Sequence, residues 1–191
     1  MTRGMRIRTF VLQVGLIGIF AFGAVLALGA GSFVHGMIRD QLSAQQIFFP
    51  AAGSTALPAG EFADLQQYGG QQVDDGIKAQ AYANGFIGRH LQVVAGGQTF
   101  AQVSTKAQAN PTDTKLAGQV ATLFKGETLR GMLLNTYGWW TVGTYATFAG
   151  LGLAVAAGAV LVALLVEVFL AFRGSETEKS TVTSPKLAHQ A

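Results

Sequence analysis

Two long stretches without charged residues dominate the pattern of hydrophobic and polar positions. Residues 10–34 contain no charge and only one strongly polar side chain, Gln13. In a helix that rises 1.5 Å per residue, about 25 residues cross a hydrocarbon layer of about 30 Å. The run is also longer than the roughly 7 to 15 apolar residues of a cleaved signal peptide. We therefore predict that residues 10–34 form a first transmembrane helix.

The second stretch, residues 131–166, is the longest charge-free run in the chain. It is longer than one crossing needs and too short for two crossings with a turn. Aromatic residues are typical of membrane interfaces, and basic residues mark the cytoplasmic side. We predict an outer interface at Trp139, Trp140 and Tyr145, an inner interface at Arg173, and a second span within residues 139–172.

Basic residues near both ends of the chain predict its topology. Arg3, Arg6 and Arg8 precede the first span, and Arg173 follows the second. The positive-inside rule places residues 1–9 and 173–191 in the cytoplasm and residues 35–138 outside the cytoplasmic membrane. The tail after residue 173 is rich in Ser, Thr, Lys and Glu without apolar periodicity, and we expect it to be disordered.

Glu167 is the carboxylate that ends the second charge-free run. An acidic residue inside a membrane suggests proton or ion handling. Glu167 lies only six positions before Arg173, so we favour an interfacial anchor that pairs with Arg6 or Arg8.

The sequence pattern between the two spans predicts helices and no strands. No useful period-2 alternation appears, whereas caps and helical spacing recur. The first helix should run to about Gln46, before an irregular stretch at Ile47–Leu57. Four helical segments should follow: Ala59–Tyr68, Asp74 or Asp75 to Ala95, Thr99 to about Ala107, and a long helix from Pro111 to Phe172, bent at Gly138 or Gly143. The predicted fold class is all-α, with the second span continuous with an external helix.

Composition supports a membrane protein and excludes several classes of chemistry. Of the 191 residues, 50% are hydrophobic and 12% are charged, against about 25% charged in soluble domains. The chain has no cysteine, which removes disulfides, thiolate metal sites and cysteine nucleophiles. The net charge is +3 without a dense basic block, so we expect lipid and membrane proteins as partners and no nucleic acid.

Small residues recur every four positions in both spans. Such ladders let helix backbones approach closely inside a membrane. The alternative is that alanine and glycine are simply common in this chain. We favour helix packing by the small residues Gly23, Ala27, Gly31, Ala146, Gly150, Ala154 and Gly158.

Few residues outside the spans suggest chemistry. His35 and His90 lack metal-ligand spacing, and no phosphate loop, nucleotide fingerprint or nucleophile elbow is present. Lys125, Glu127 and Arg130 cluster near the outer interface. We interpret them as a solvated turn with a Glu127–Arg130 pair, or as a docking site for another protein. The sequence predicts no catalytic residue, cofactor or metal site, and therefore no enzyme.

Three runs of sequence resemble a family of small actinobacterial membrane proteins of unknown function. They are residues 79–91 (AQAYANGFIGRHL), 97–104 (GQTFAQVS) and 122–135 (TLFKGETLRGMLLN). With the flanking spans, the resemblance covers residues 8–172. It implies two spans, an external helical segment and no established activity. Members often carry the label of an aromatic ring-opening dioxygenase, but such an enzyme needs clustered His and carboxylate ligands that this sequence lacks.

Together these features favour a non-enzymatic accessory or scaffold subunit of a membrane assembly, which includes an assembly of its own copies. The alternative is a lipid-handling or transporter-like protein whose external domain forms an apolar groove. The candidate lining residues of that groove are Phe48, Phe49, Phe86 and Phe100.

Overall fold

The computed structural model describes residues 3–182, and this part of the chain is helical without a β-strand. Its helices are α1 (Arg3–Gln45), a 3-10 helix (Ala63–Tyr68), α2 (Gly76–Gln80), a π-helical segment (Ala81–Ile87), α3 (Gly88–Ala95), α4 (Phe100–Ala109) and α5 (Thr114–Val182). The predicted all-α class is confirmed.

Two helices are long and apolar enough to cross a membrane. Their candidate spans lie in Gly4–Gln45 and Thr114–Arg173, with mean hydropathies of 2.4 and 2.7. Each span belongs to a helix that also enters the middle segment, since α1 ends at Gln45 and α5 begins at Thr114. The prediction that the second span continues from a long helix of the middle segment is thereby confirmed.

The chain divides into two compact units. The first contains the described residues up to Gly29 and those from Thr147 onward, and the second is Ala30–Ala146. The first unit therefore consists of the first part of α1 and the last part of α5. The second holds the shorter helices together with the remaining parts of the two long ones.

Side-chain caps fix several helix boundaries. The Asp75 carboxylate accepts a hydrogen bond from the Lys78 amide at 2.7 Å. Thr99 and Gln102 form a reciprocal capping box at the start of α4. Both starts agree with the sequence, because Asp and Thr satisfy amide groups that the first helical turn leaves free.

Helix α5 begins three residues later than the sequence suggested. The Asp113 side chain accepts a hydrogen bond from the Leu116 amide at 2.9 Å. Asp113 therefore caps the helix from outside its first turn, and Pro111 lies in the preceding turn.

The predicted helix over Ala59–Tyr68 is also wrong in its first half. The carbonyl oxygen of Pro58 accepts hydrogen bonds from the amides of Glu61 and Phe62, at 3.2 and 3.0 Å. The residues before Ala63 therefore form tight turns instead of a helix. The helix that follows is a 3-10 helix of six residues. It ends in a turn that needs glycine, because Gly70 has φ +74°.

The expected disorder after residue 173 is wrong for residues 173–182. Helix α5 continues to Val182, and no proline interrupts it before that point. Residues 183–191 of the predicted tail lie outside the described residues.

One hydrophobic core organises the second unit. It joins the end of α1 to α5 through the shorter helices, and its most buried members include Leu42, Leu57, Val73, Leu123 and Leu133. Glycines allow the elements to approach closely. A Cβ on Gly126 would lie 2.5 Å from Leu91 Cδ2, and one on Gly76 would overlap Trp140.

The helix from Gly76 to Ala95 buries every fourth residue, Ala79, Ala83, Ile87, Leu91 and Ala95. On an uninterrupted α-helix these five positions would drift by about 160° around the axis. The π-helical segment Ala81–Ile87 lies in the middle of this helix. Because a π turn holds more residues than an α turn, it rotates the later positions back onto the buried face.

Candidate functional site

The first unit is held together by close contact between its two helices. A Cβ on Gly150 would lie 2.9 Å from the backbone nitrogen of Leu28, and one on Gly23 would lie 3.2 Å from Leu153 Cδ1. Ala24 and Ala157 are buried in the same unit. Small residues therefore line this contact, as is common between transmembrane helices.

The four-residue ladder describes this contact only in part. Gly23 and Gly150 lie in it, but Ala154 and Gly158 are exposed, and nothing lies within 4 Å of a Cβ on Gly158. Four residues turn an α-helix by 400°, so each step of the ladder moves about 40° around the axis. Of the remaining ladder members, Gly31 is buried, whereas Ala27 and Ala146 are half-buried.

Several of the less exposed positions instead follow one another at steps of three or four residues. This spacing is typical of helices that coil around each other with a left-handed twist. These positions include Gln13, Ile17, Phe20, Ala24 and Ala27 on α1, and Thr147, Gly150, Leu153, Ala157, Val160 and Leu164 on α5.

Glu167 has a different partner from the one that the sequence suggested. Gln13 Nε2 donates a hydrogen bond to Glu167 Oε1 at 3.1 Å. Among the described residues, neither Arg6 nor Arg8 forms an ion pair with Glu167 within 4.0 Å. The expected pairing is therefore wrong, because an amide on the facing helix lies closer to the carboxylate.

Arg6 and Glu167 nevertheless line one crevice of the first unit, with a volume of about 480 Å³. Its other walls are apolar and come from both helices: Ile7, Phe10, Leu164, Val168, Leu170 and Ala171.

In the second unit, His35 connects α1 to α5. Its ring stacks on Trp140 with centroids 4.0 Å apart. Since a carbonyl oxygen can only accept, His35 Nε2 donates to the Trp140 carbonyl oxygen at 3.0 Å. It also lies 3.2 Å from Thr144 Oγ1.

The sequence analysis did not predict this contact of His35. A polar residue at the end of an apolar run could have indicated it, because such a side chain needs a hydrogen-bond partner. Of the predicted interfacial aromatics, Trp139 and Tyr145 are exposed, whereas Trp140 packs against the core.

Aromatic side chains pack together inside the second unit. Phe49 lies 5.2 Å from Tyr68 and 5.0 Å from Tyr82, and Phe86 lies 4.4 Å from His90, between ring centroids. Burial raises the pKa of Tyr82. His90 Nδ1 donates to the Phe86 carbonyl oxygen at 2.9 Å, which is the behaviour of a structural histidine.

The four phenylalanines proposed for an apolar groove are not found along one cavity. Phe49 is buried in the core and Phe86 packs against it, whereas Phe48 is exposed. Phe100 instead contacts Phe124, with centroids 6.1 Å apart.

An exposed ion pair lies beside this aromatic group. Arg89 Nη1 and Nη2 donate to the two carboxylate oxygens of Asp64, at 2.9 and 2.7 Å. The hydrogen bond from Arg89 is the main reason that the pKa of Asp64 lies below its ordinary value. The guanidinium carbon also lies 5.4 Å from the centre of the Phe62 ring.

A polar cleft of about 280 Å³ lies beside Arg130, and we call it the Arg130 cleft. Arg130 Nε and Nη2 donate to Asn84 Oδ1 at 3.2 and 3.1 Å, and Nη1 donates to Glu127 Oε2 at 3.3 Å. Asn84 belongs to the π-helical segment, which therefore positions the guanidinium. The cleft is lined by Asn84, Gly88, Arg89, Leu91, Gln92, Gly97, Gln98, Thr99, Phe100, Leu123, Glu127 and Arg130.

The predicted cluster of Lys125, Glu127 and Arg130 is thus divided. Glu127 and Arg130 form the predicted i,i+3 pair at the cleft. Lys125 is exposed and is not among the cleft residues.

Within the described residues, no group of three or more His, Asp or Glu side chains is arranged to hold a metal ion. No family model, curated protein or solved structure matches the chain. The resemblance to small actinobacterial membrane proteins therefore stays a prediction from the quoted residues.

The Asp64–Arg89 pair makes the free energy of unfolding depend on pH in the acid range. Because the pKa of Asp64 is lowered in the folded state, its contribution is complete above the ordinary pKa of about 4 and is lost as pH falls through the folded value. We expect Asp64→Asn to lower the free energy of unfolding near neutral pH by up to about 1 kcal/mol, as for exposed pairs. The difference from the wild type should vanish in acid.

Thermal unfolding of the full chain in detergent between about pH 6 and pH 3 measures this difference. Glu61→Gln is the control, because the Glu61 side chain is exposed and only its carbonyl oxygen contacts Arg89. An Asp64→Asn variant that unfolds like the wild type near neutral pH would contradict the assignment.

Proposed function

We propose that the protein is a non-enzymatic subunit, anchored in the cytoplasmic membrane, that assembles with other membrane proteins or with copies of itself. Residues 10–34 and 139–172 provide the two spans in this proposal. The termini lie in the cytoplasm, and residues 35–138 lie outside. The resemblance to small two-span membrane proteins supports the same architecture and supplies no activity.

The observation that carries the proposal is an exposed, largely apolar face on α5, formed by Phe124, Met132, Trp139 and Val142, with the exposed polar residues Thr128 and Asn135 in the same sector. The four apolar side chains are between 51% and 64% exposed. At 3.6 residues per turn they lie within about 80° of one another around the helix. Exposed apolar surface of this kind is typical of protein interaction sites.

Lipid does not account for the whole face if the outer interface lies at Trp139. Phe124 is 15 residues and Met132 seven residues before Trp139, which corresponds to about 22 and 10 Å along a helix. Both side chains then lie in the aqueous phase, where covering them by a partner would be favourable.

The first test removes this apolar face. Phe124→Glu with Met132→Glu should weaken association by about tenfold or more, because each carboxylate would be buried at the interface. Native mass spectrometry of the full chain in mild detergent measures the distribution of oligomers and co-purifying proteins.

Thr105→Glu is the matched control, since Thr105 is exposed on α4 and lies outside the face. A wild-type chain that is strictly monomeric and carries no other protein would refute the proposal. Equal assembly of the double variant and the control would show that another surface is used.

The second test concerns topology and uses single cysteines in a chain that has none. Thr105→Cys should react in intact cells with a membrane-impermeant maleimide, because residues 35–138 are proposed to lie outside. Ser180→Cys should react only after permeabilisation.

Ser54→Cys is a poorer probe, because the Ser54 side-chain oxygen is buried. Equal labelling of Thr105→Cys and Ser180→Cys in intact cells would contradict two spans with both termini in the cytoplasm.

A further inference from the structure

We propose that the Arg130 cleft binds a small organic carboxylate, with the carboxylate group on the Arg130 guanidinium. The cleft and the α5 apolar face share no residue, but they are neighbours, since Phe100 of the cleft contacts Phe124 of the face. The inference rests on the donors left on Arg130, the surroundings of the guanidinium and the shape of the cleft.

Arg130 has hydrogen-bonding capacity to spare. A guanidinium carries five N–H donors, and the contacts to Asn84 and Glu127 use three of them. The two-point contact with Asn84 holds the guanidinium plane in place. A planar group that is already oriented can bind a carboxylate through two parallel hydrogen bonds.

The start of α4 adds positive potential to the lining of the cleft. Thr99 and Phe100 form the start of α4 and line the same cleft. The first amides of a helix carry a partial positive charge. This charge adds to that of Arg130, because the capping box leaves the amides of Phe100 and Ala101 outside its own hydrogen bonds.

Glu127 acts as the internal competitor for this position. Its carboxylate makes one long contact with Arg130, at 3.3 Å, and its side chain is 45% exposed. Such a pair contributes little to stability, so an incoming carboxylate can displace Glu127 into solvent at small cost. The Arg89 guanidinium also lines the cleft but is held by Asp64.

The apolar residues and the volume of the cleft limit the remainder of the ligand. Of the three apolar lining residues, Phe100 is 37% exposed, whereas Leu91 and Leu123 are buried. A volume of about 280 Å³ suits a compact body rather than a long chain. The matching class is a small carboxylate with an aromatic or short aliphatic body.

Benzoate is the probe, and uncharged benzamide of the same shape is its control. Titration of the full chain in detergent, followed by calorimetry or by NMR of the ligand, should give saturable benzoate binding. Benzamide should bind at least about tenfold more weakly, because it lacks the charge that Arg130 recognises.

Two substitutions should act in opposite directions. Arg130→Gln should weaken benzoate binding by about tenfold or more, whereas Glu127→Gln should strengthen it about threefold by removing the competing carboxylate. Lys125→Gln should leave it unchanged. The gain expected for Glu127→Gln keeps the test valid if Arg130→Gln loses stability together with its contact to Asn84.

Absence of saturable benzoate binding would overturn the proposal, as would equal binding of benzamide. Weaker binding by Glu127→Gln would also overturn it, because Glu127 would then assist the ligand rather than compete with it.

Discussion

The approach of α1 to α5 is the constraint on which the remaining structure depends. In the first unit this approach requires glycine at position 150, where any side chain would meet the backbone of Leu28. In the second unit it requires glycine at position 143, where a Cβ would lie 2.9 Å from the His35 ring. Backbones that approach this closely gain dispersion contacts over their length, which is the main attraction between helices in lipid.

The interior of the second unit follows from this pairing. The end of α1 and the middle of α5 contribute Leu42, Leu123 and Leu133 to one core, and the shorter helices fill the space between them. The helix from Gly76 to Ala95 packs into this space only because Gly76 and Gly126 leave room for Trp140 and Leu91. Its π-helical segment keeps one face buried and positions Asn84 beside Arg130.

Local signals in the sequence were sufficient for most of the fold. Asp75 and Thr99 cap the helices that they were expected to cap, and Gly96 takes the left-handed conformation that ends α3. These features depend on a few neighbouring residues, so the sequence alone contains them. The length of the apolar runs in the same way predicted the two long helices.

Features that depend on distant residues were not predictable in the same way. The hydrogen bond between Gln13 and Glu167 joins residues 154 positions apart, and which partner a carboxylate finds depends on helix register. The small-residue ladder on α5 failed beyond Gly150, because a spacing of four drifts around an α-helix. One signal was overlooked. From Ala79 to Ala95 every fourth residue is apolar, and such a spacing stays on one face of the helix only if the helix contains a π turn.

The candidate site also combines a local feature, which was predictable, with a contact between distant residues, which was not. Glu127 and Arg130 were predictable as a local pair, since residues three apart are neighbours on a helix. The hydrogen bonds from Arg130 to Asn84, 46 positions earlier in the chain, were not predictable, because they depend on how the helices pack.

Replacement of glycines in the first unit tests the helix contact most directly. Gly150→Leu and Gly158→Leu raise intrinsic helix propensity equally, by about 1 kcal/mol, so a difference between them reports the contact. Gly150→Leu should destabilise the full chain in detergent by roughly 1 to 3 kcal/mol, as expected for overpacking. Gly158→Leu should not destabilise it, because nothing lies within 4 Å of its Cβ position. Equal thermal stabilities of the two variants, or a lower stability of Gly158→Leu, would contradict the account.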